Sequence, residues 1–186
     1  KAAEIKPIVG LDAFITLGDR KDRSHKANLY KLVLLAENNE GLENLFQLVT
    51  LANFEGFYYK PRIDREILRK HAKGLIALSG SVSGWPAKMI AEDPEPEAVK
   101  AIEECREIFG PENFYLEILR TGIPELQKIN KGLLRLSKEM NVPIVAANDV
   151  YYLKSEEAKA HDILMCIGSG KLVSDTRRRR FSSEEF

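Results

Sequence analysis

Five short apolar runs of the sequence are each followed by polar residues, and these residues are the first candidates for chemistry. In parallel α/β folds, carboxylates, amides and hydroxyls at the carboxyl ends of strands can hold cations or phosphates. Ser, Asn and Asp at strand–helix junctions are also the preferred helix N-caps, and capping accounts for most of this set on spacing alone. Asp12 and Asp149 are the two carboxylates that capping explains least well. The full set comprises Asp12 and residues 37–38, 79–81, 120–122 and 148–149.

Histidine is too rare and too scattered in this sequence for several common catalytic centres. The three histidines are His25, His71 and His161, and none of them follows a strand-like run. This pattern argues against a Ser-His-Asp hydrolase and against a transition-metal site built on imidazole. The sequence also has no dinucleotide-binding, P-loop or HExxH motif. Surface or packing roles are therefore predicted for the histidines.

Four consecutive arginines form the one local concentration of charge. Arg177, Arg178, Arg179 and Arg180 are followed by Phe181. Such a run can contact the phosphates of a nucleic acid, and it can equally be a solvated loop or a contact with an acidic neighbour. The sequence leaves these alternatives open.

The composition is that of a soluble globular protein without a strong charge preference. The 186 residues include 28 Lys+Arg and 28 Asp+Glu, and 44% are hydrophobic, which argues against an intrinsically disordered chain. Zero net charge does not indicate a dedicated nucleic-acid binder, for which a basic excess is typical. No apolar run approaches the roughly 20 residues of a membrane helix, and the N-terminus has no apolar signal core. We therefore expect a cytoplasmic protein without membrane association, in which Cys105 and Cys166 are buried free thiols.

The elements that would position the candidate side chains alternate between strand-like and helix-like patterns. Strands are predicted at residues 7–11, 31–36, 74–79, 114–119 and 143–147. Several of these runs are apolar at nearly every position, which is typical of strands covered on both faces in parallel sheets. Between them, apolar residues spaced by three and four predict amphipathic helices, most clearly from Leu126 to Met140. The alternation indicates an α/β fold with mostly parallel strands and helices outside, either an open sheet or part of a barrel.

Six strings of residues together carry a family resemblance that each lacks alone. They are LLAENNEG, EGFYYKPRID, GLIALSG, NFYLE, ANDV and AHDIL, beginning at residues 34, 55, 74, 113, 147 and 160. In this order and spacing they resemble the PHP (polymerase and histidinol phosphatase) domain of the alpha subunit of bacterial DNA polymerase III. The resemblance implies a distorted (β/α)7-type barrel. It also implies that the barrel is incomplete here and lacks the family's first strand with its His-x-His motif. Residues 1–170 would then form the PHP domain, and residues 171–186 a basic loop leading toward the polymerase region.

The resemblance also locates the metal-ligand positions of the family, and most of them have changed in this sequence. Metal-competent members resemble trinuclear phosphoesterases. Asp149 is retained and Asp12 is a shortened substitute for Glu, whereas Lys31 stands where His is common. Deprotonating a lysine at pH 7 so that it can bind a metal costs about 4.6 kcal/mol, because its ordinary pKa is about 10.4. The other changed positions are Ser81 in place of Cys, and Thr121 and Tyr151 in place of His.

These changes predict a degenerate phosphoesterase centre, with no catalytic residue and no cofactor in this segment. Mg²⁺ would be needed only at the polymerase site of the family, which lies elsewhere. The expected role is that of a scaffold in a replicative DNA polymerase. Its partners would be the remainder of the alpha subunit, the proofreading exonuclease subunit and, through the whole holoenzyme, DNA.

Two alternative functions and one structural question stay open. The alternatives are an active Zn- or Mn-dependent phosphoesterase or 3′–5′ exonuclease, and an error-prone polymerase paralogue. The question concerns Asp12 and Asp149, which would be buried like charges after the loss of the metals. The ammonium of Lys31 could neutralise them, or Lys31 could simply be an exposed strand residue.

Overall fold

A five-stranded sheet is the centre of this computed structural model, which describes residues 4–24, 28–92, 95–120 and 124–181. The strands are β1 (Gly10–Thr16), β2 (Leu29–Ala36), β3 (Leu75–Leu78), β4 (Phe114–Leu119) and β5 (Ile144–Ala147). They follow one another across the sheet in chain order. β2 is antiparallel to both of its neighbours, whereas β3, β4 and β5 are parallel, so four of the five strands run in the same direction.

The predicted α/β class with mostly parallel strands is confirmed, but three details need correction. The first strand begins at Gly10 rather than at residue 7, because the alternation of a strand starts at Leu11 and continues through Ala13 to Ile15. Because β2 is antiparallel to its neighbours, residues 37–38 lie at the end of the sheet where the other strands begin, and not at their carboxyl ends. A seven-stranded barrel is not established, since the sheet of the described residues ends at β1 and β5.

In the described ranges six helices accompany the sheet, and several begin or end at residues with clear capping chemistry. Asn38 and Asp64 accept hydrogen bonds from the backbone N–H groups of Gly41 and Ile67, at 3.0 and 3.2 Å, and so cap two helix N-termini. Gly170 ends the last helix in the left-handed conformation that favours glycine. The helices are α1 (Asn39–Phe54), α2 (Arg65–Lys70), α3 (Trp85–Ala91), α4 (Glu95–Phe109), α5 (Pro124–Met140) and α6 (Ala158–Ser169).

The hydrophobic core lies between one face of the sheet and helices α1, α3, α4 and α5. Leu34, Ala77 and Leu116 are fully buried on this face of three neighbouring strands. The helix stripe predicted from residue 126 onward is confirmed, since Leu126, Ile129, Leu133 and Leu136 are all buried. Within the described ranges, no helix combines the length and apolar character that crossing a membrane requires.

The second face of the sheet is less covered than the sequence predicted. Val33, Ile76 and Leu78 remain partly exposed there, whereas Glu117 and Leu119 of β4 are buried on the same face. The expectation of strands covered on both faces therefore fits β4 but not β2 and β3. This open face carries the polar residues of the candidate site.

Candidate functional site

A cavity of about 90 Å³ lies on the open face of the sheet, at the carboxyl ends of β3, β4 and β5. β1 contributes Asp12 from its middle, and β2 contributes Lys31 from near its beginning. The loops after β3 and β5 supply Ser81 and Asp149. The complete lining consists of Asp12, Lys31, Val33, Gly80, Ser81, Glu117, Leu119, Asn148 and Asp149.

Lys31 points into this cavity and donates a hydrogen bond to the carboxylate of Asp12. The register of β1 and β2 explains the contact, because Asp12 lies opposite Val33 and Lys31 lies opposite Phe14, on the same face. The backbone N–H of Lys31 donates to the carbonyl of Ser83 at 2.7 Å, which fixes Lys31 beside the loop after β3. Its Nζ also lies 5.9 Å from the centre of the Phe14 ring. The side chain of Lys31 is therefore directed toward Asp12 and is not simply an exposed strand side chain.

The two aspartates are not buried, which corrects the sequence-based expectation. The side chain of Asp12 is 53% exposed, and Asp149 is an exposed residue of the loop after β5. Tyr151 donates its hydroxyl hydrogen bond to Asp149 Oδ2 at 3.1 Å. Burial and the neighbouring Asp149 carboxylate raise the pKa of Tyr151. Tyr151 therefore stays a neutral hydroxyl next to a solvated carboxylate.

Glu117 is the buried carboxylate of the cavity, and sequence reasoning did not select it. It is only 8% exposed, and its Oε2 atom has no hydrogen-bond partner. Burial raises the pKa of Glu117, and the charges of Asp12 and Asp149 raise it further, while the Gly80 backbone N–H and Lys31 act in the opposite direction. Its own backbone N–H donates to Ser79 Oγ at 2.9 Å. The available signal was a single charged residue inside the apolar run of β4.

The donor atoms of the cavity do not fit zinc, which prefers nitrogen and sulfur ligands. The ammonium of Lys31 offers no lone pair to a metal, and the hydroxyls of Ser81 and Tyr151 are poor ligands for soft or borderline ions. Within the described residues, no three His, Cys, Asp or Glu side chains converge in a way that could hold a metal ion. Thr121, another changed ligand position, lies outside the described residues.

The histidines and cysteines lie where packing explains them. His71 contacts the side-chain oxygen of Asn44 at 3.1 Å, and the His161 ring packs against Tyr151 with centres 5.1 Å apart. His25 lies outside the described residues. Cys105 and Cys166 are buried free thiols, as predicted. Burial raises the pKa of Cys105 to about 12, so it is not a nucleophile at neutral pH.

The four arginines, for which a phosphate contact was one of three possible roles, differ in their contacts. Arg178 forms a two-pronged ion pair with Asp162 of α6, with Nη2 2.6 Å from Oδ2, and its side chain is 3% exposed. Arg180 Nη2 donates to the carbonyls of Val173 and Asp175 at 3.1 and 3.2 Å. Arg179 lies over the ring of Phe181 at 4.7 Å, and Arg177 is exposed. Arg178 thus holds the segment against α6, and Arg180 bonds within the segment itself. A nucleic-acid contact by this segment stays one of the alternatives that the sequence leaves open.

Comparison with known proteins places the chain in a family. A family model described as the PHP domain matches residues 1–121, so the chain belongs to the PHP domain family. It is similar to DNA polymerase III alpha subunits over its whole length. Identity is 40% over 189 residues to the subunit of Thermus aquaticus, covering all of this chain and 15% of that protein. Identity is 37% over 189 residues to the subunits of Aquifex aeolicus and Deinococcus radiodurans, with 97% and 98% of this chain covered. The chain spans 14–16% of the length of these relatives.

Proposed function

We propose that this chain is the PHP domain of a replicative DNA polymerase III alpha subunit and that it serves as a scaffold rather than as a phosphoesterase. The observation that carries the proposal is the contact of the Lys31 ammonium with Asp12, in a chain similar throughout to alpha subunits. A packed core behind an altered polar rim is what a structural or docking domain requires. The Mg²⁺-dependent polymerase site would lie elsewhere in the whole protein.

The chemistry of the cavity supports a degenerate centre. Metal-assisted hydrolysis of a phosphodiester needs a divalent ion that is firmly held and that activates a water molecule. Asp12 is bonded to an ammonium, and Asp149 is exposed to solvent with a tyrosine hydroxyl as its partner. Neither arrangement resembles the closed shell of imidazole, thiolate and carboxylate that holds such an ion. We therefore assign no catalytic residue to this segment.

The proposed partners follow from the family and not from a contact seen in this chain. They are the remainder of the alpha subunit, a proofreading exonuclease subunit, and DNA through the assembled holoenzyme, all in the cytoplasm. Exposed Arg177, and Arg179 over the Phe181 ring, are the two arginines of the basic segment that we propose for a phosphate contact. Binding of the purified intact protein to a proofreading exonuclease subunit, measured by size-exclusion chromatography, tests the docking role.

Metal content and hydrolysis of the intact protein test the degenerate centre. We expect less than stoichiometric Zn or Mn by elemental analysis, no hydrolysis of single-stranded DNA with either metal, and unchanged DNA synthesis in the Asp149→Ala variant. Stoichiometric Zn or Mn, together with exonuclease activity that Asp149→Ala abolishes, would instead establish an active metal-dependent phosphoesterase. Low fidelity of DNA synthesis by the intact protein would favour the error-prone paralogue.

A further inference from the structure

We infer that the outward face of α1 is a self-association surface, through which two copies of this chain pack with their α1 helices antiparallel about a twofold axis. The inference goes beyond the proposed function and does not depend on the chemistry of the polar cavity. The surface, here called the α1 face, comprises the exposed residues of α1 between positions 43 and 54 and the exposed Phe57, Tyr59 and Lys60 of the turn that follows.

Four aromatic side chains of the α1 face are exposed although their chemistry favours burial. Phe46 is 60% exposed, Phe54 83%, Phe57 50% and Tyr59 71%. Since a large aromatic side chain carries roughly 200 Å² of surface, these four together expose on the order of 500 Å². Exposed apolar area of this extent is typical of an interaction site.

The charge of the α1 face favours a protein partner over a nucleic acid. Residues 44–54 include no charged side chain. Depletion of charge together with enrichment of aromatic residues is typical of the centre of a protein–protein interface. A nucleic acid would instead require a row of cationic side chains at this place. The next charged residue, Glu55, is bonded by Arg20 and Lys21 of its own chain.

The turn after α1 holds Phe57 and Tyr59 in a fixed arrangement. Tyr59 has a φ of 63°, in the left-handed region that residues other than glycine seldom adopt. The guanidinium of the buried Arg62 donates to the carbonyls of Gly56 and Arg20, at 2.9 and 2.6 Å. Backbone strain of this kind clusters at functional sites, and a surface that is already ordered loses less entropy when it binds.

The order of residues along α1 makes its face complementary to a second copy of itself. Phe46 and Phe54 lie four residues before and four residues after Thr50, and all three are exposed on the same side of the helix. In an antiparallel pair centred on Thr50, Phe46 of one copy therefore meets Phe54 of the other. The contact is isologous, because the same pair of residues meets twice about the twofold axis.

Opposite charges at the two ends of the α1 face favour the antiparallel orientation. The exposed Glu43 precedes the uncharged stretch, and the exposed Lys60 follows the carboxyl end of the helix. In an antiparallel pair, the acidic end of one copy lies beside Lys60 of the other. In a parallel pair like charges would face each other, which costs binding free energy.

The area of the α1 face suits a weak and reversible dimer. A stable interface buries about 800 Å² on each partner. The aromatic side chains provide on the order of 500 Å² of this area, and the uncharged Gln47, Thr50 and Asn53 are exposed on the same side of the helix and can form hydrogen bonds. We therefore expect a dissociation constant on the order of 10 μM.

Sedimentation velocity of the intact protein, at concentrations from about tenfold below to tenfold above this dissociation constant, tests the inference. The weight-average mass should rise with concentration toward that of a dimer. Phe46→Ser and Phe54→Ser should each weaken association by about 10-fold or more, because each removes an aromatic residue from the centre of the contact. Leu134→Ser is the matched control at an exposed apolar position of α5, and it should leave association unchanged.

Reversal of the end charges tests the antiparallel arrangement. Glu43→Lys and Lys60→Glu should each weaken association by about fivefold, because like charges then face each other across the dimer. The variant that carries both substitutions exchanges the two charges. It should therefore associate as tightly as wild type.

The remaining outcomes would overturn the inference or its geometry. A protein that stays monomeric at every concentration would overturn it, and would mean that another part of the polypeptide or a different protein covers the α1 face. A dimer that persists when Phe46→Ser and Phe54→Ser are combined would also overturn it. If both single charge reversals weaken the dimer and the double variant does not recover, the antiparallel arrangement is wrong. Circular dichroism establishes that each variant is folded.

Discussion

Glu117 lies in β4 between Leu116 and Ile118, and its position explains why sequence reasoning missed it. A single charge in an apolar run gives no information about which face of the sheet it occupies. The face is set by the pleat of β4, which points Glu117 away from the buried Leu116. Asp12 and Lys31 could be selected as candidates from the family positions. Their contact required the register of β1 against β2, which no local pattern contains.

Arg20 is the other residue whose role only the structure reveals. Its guanidinium bonds to Glu55, Asp64 and Glu66 at 2.6 to 2.9 Å, and its side chain is 7% exposed. These acidic residues lie at the end of α1 and the beginning of α2. Arg20 thus connects the loop after β1 to the junction of two helices.

Replacing Arg20 with Met should destabilise the protein by about 3 kcal/mol, because the buried Asp64 loses its charged partner. Chemical unfolding in urea measures this loss. Lys21→Met is the matched control, since Lys21 contacts the same Glu55 at 3.3 Å but is 57% exposed. Its effect should stay below about 1 kcal/mol. Equal losses in the two variants would contradict a special role for Arg20.

The same network predicts a loss of stability in acid. Burial alone would raise the pKa of Asp64, but the N–H groups of Arg20 and Ile67 and the Arg20 guanidinium bring it below its ordinary 3.8. Hydrogen bonds from Arg20 and Lys21 lower the pKa of Glu55 below its ordinary 4.5. A lowered folded pKa gives stability that is present above the ordinary value and is lost as the pH falls through the folded value.

Unfolding of wild type and Asp64→Asn between pH 7 and pH 2 measures this effect. The variant should start from a lower stability and lose less of it in acid, because one of the two protonation steps is gone. Glu125→Gln, at an exposed carboxylate of α5, should follow the wild-type curve. If the free energy of unfolding of Asp64→Asn falls with pH as steeply as that of wild type, Asp64 does not contribute to the loss of stability in acid.

At the scale of elements, helices were predicted better than strands for a physical reason. The stripe of α5 repeats within 17 residues, so local spacing is enough to identify it. The direction of β2 depends on pairing with β1 and β3, which its own residues do not encode. Residues 37–38 were therefore predicted at the end of the sheet that carries the cavity. They lie at the opposite end, where Asn38 caps α1.

The segment after α6 should depend on the ion pair of Arg178 with Asp162. Asp162→Asn removes the charge that holds Arg178, so we expect the backbone of residues 171–181 to exchange amide hydrogens faster. The Leu172 N–H, which donates to Asp175 at 2.9 Å, is the natural reporter. Arg177→Ala, at an exposed position of the same segment, should leave its exchange unchanged. Unchanged exchange in Asp162→Asn would show that the segment is held by other contacts.

At the scale of the whole molecule, the α/β class was predictable but closure into a barrel was not. The apolar runs predict the strands and the helix stripes predict the helices. Their alternation along the chain indicates an α/β arrangement. Whether a sheet closes depends on pairing between its first and last strands, which are far apart in the sequence. The polar rim was predicted at the carboxyl ends of the strands, and Ser81 and Asp149 line the same cavity there.

A covalently attached cation has a consequence for how the folded chain responds to its surroundings. The positive charge beside Asp12 belongs to the polypeptide, so no chelator can extract it and no shortage of trace elements can leave the position unfilled. The melting temperature of the intact protein should therefore be the same with and without EDTA, as measured by calorimetry. A drop on chelation would reveal a bound ion. If the melting temperature is unchanged by EDTA, we expect maturation of this domain to need no metal delivery, only translation and folding.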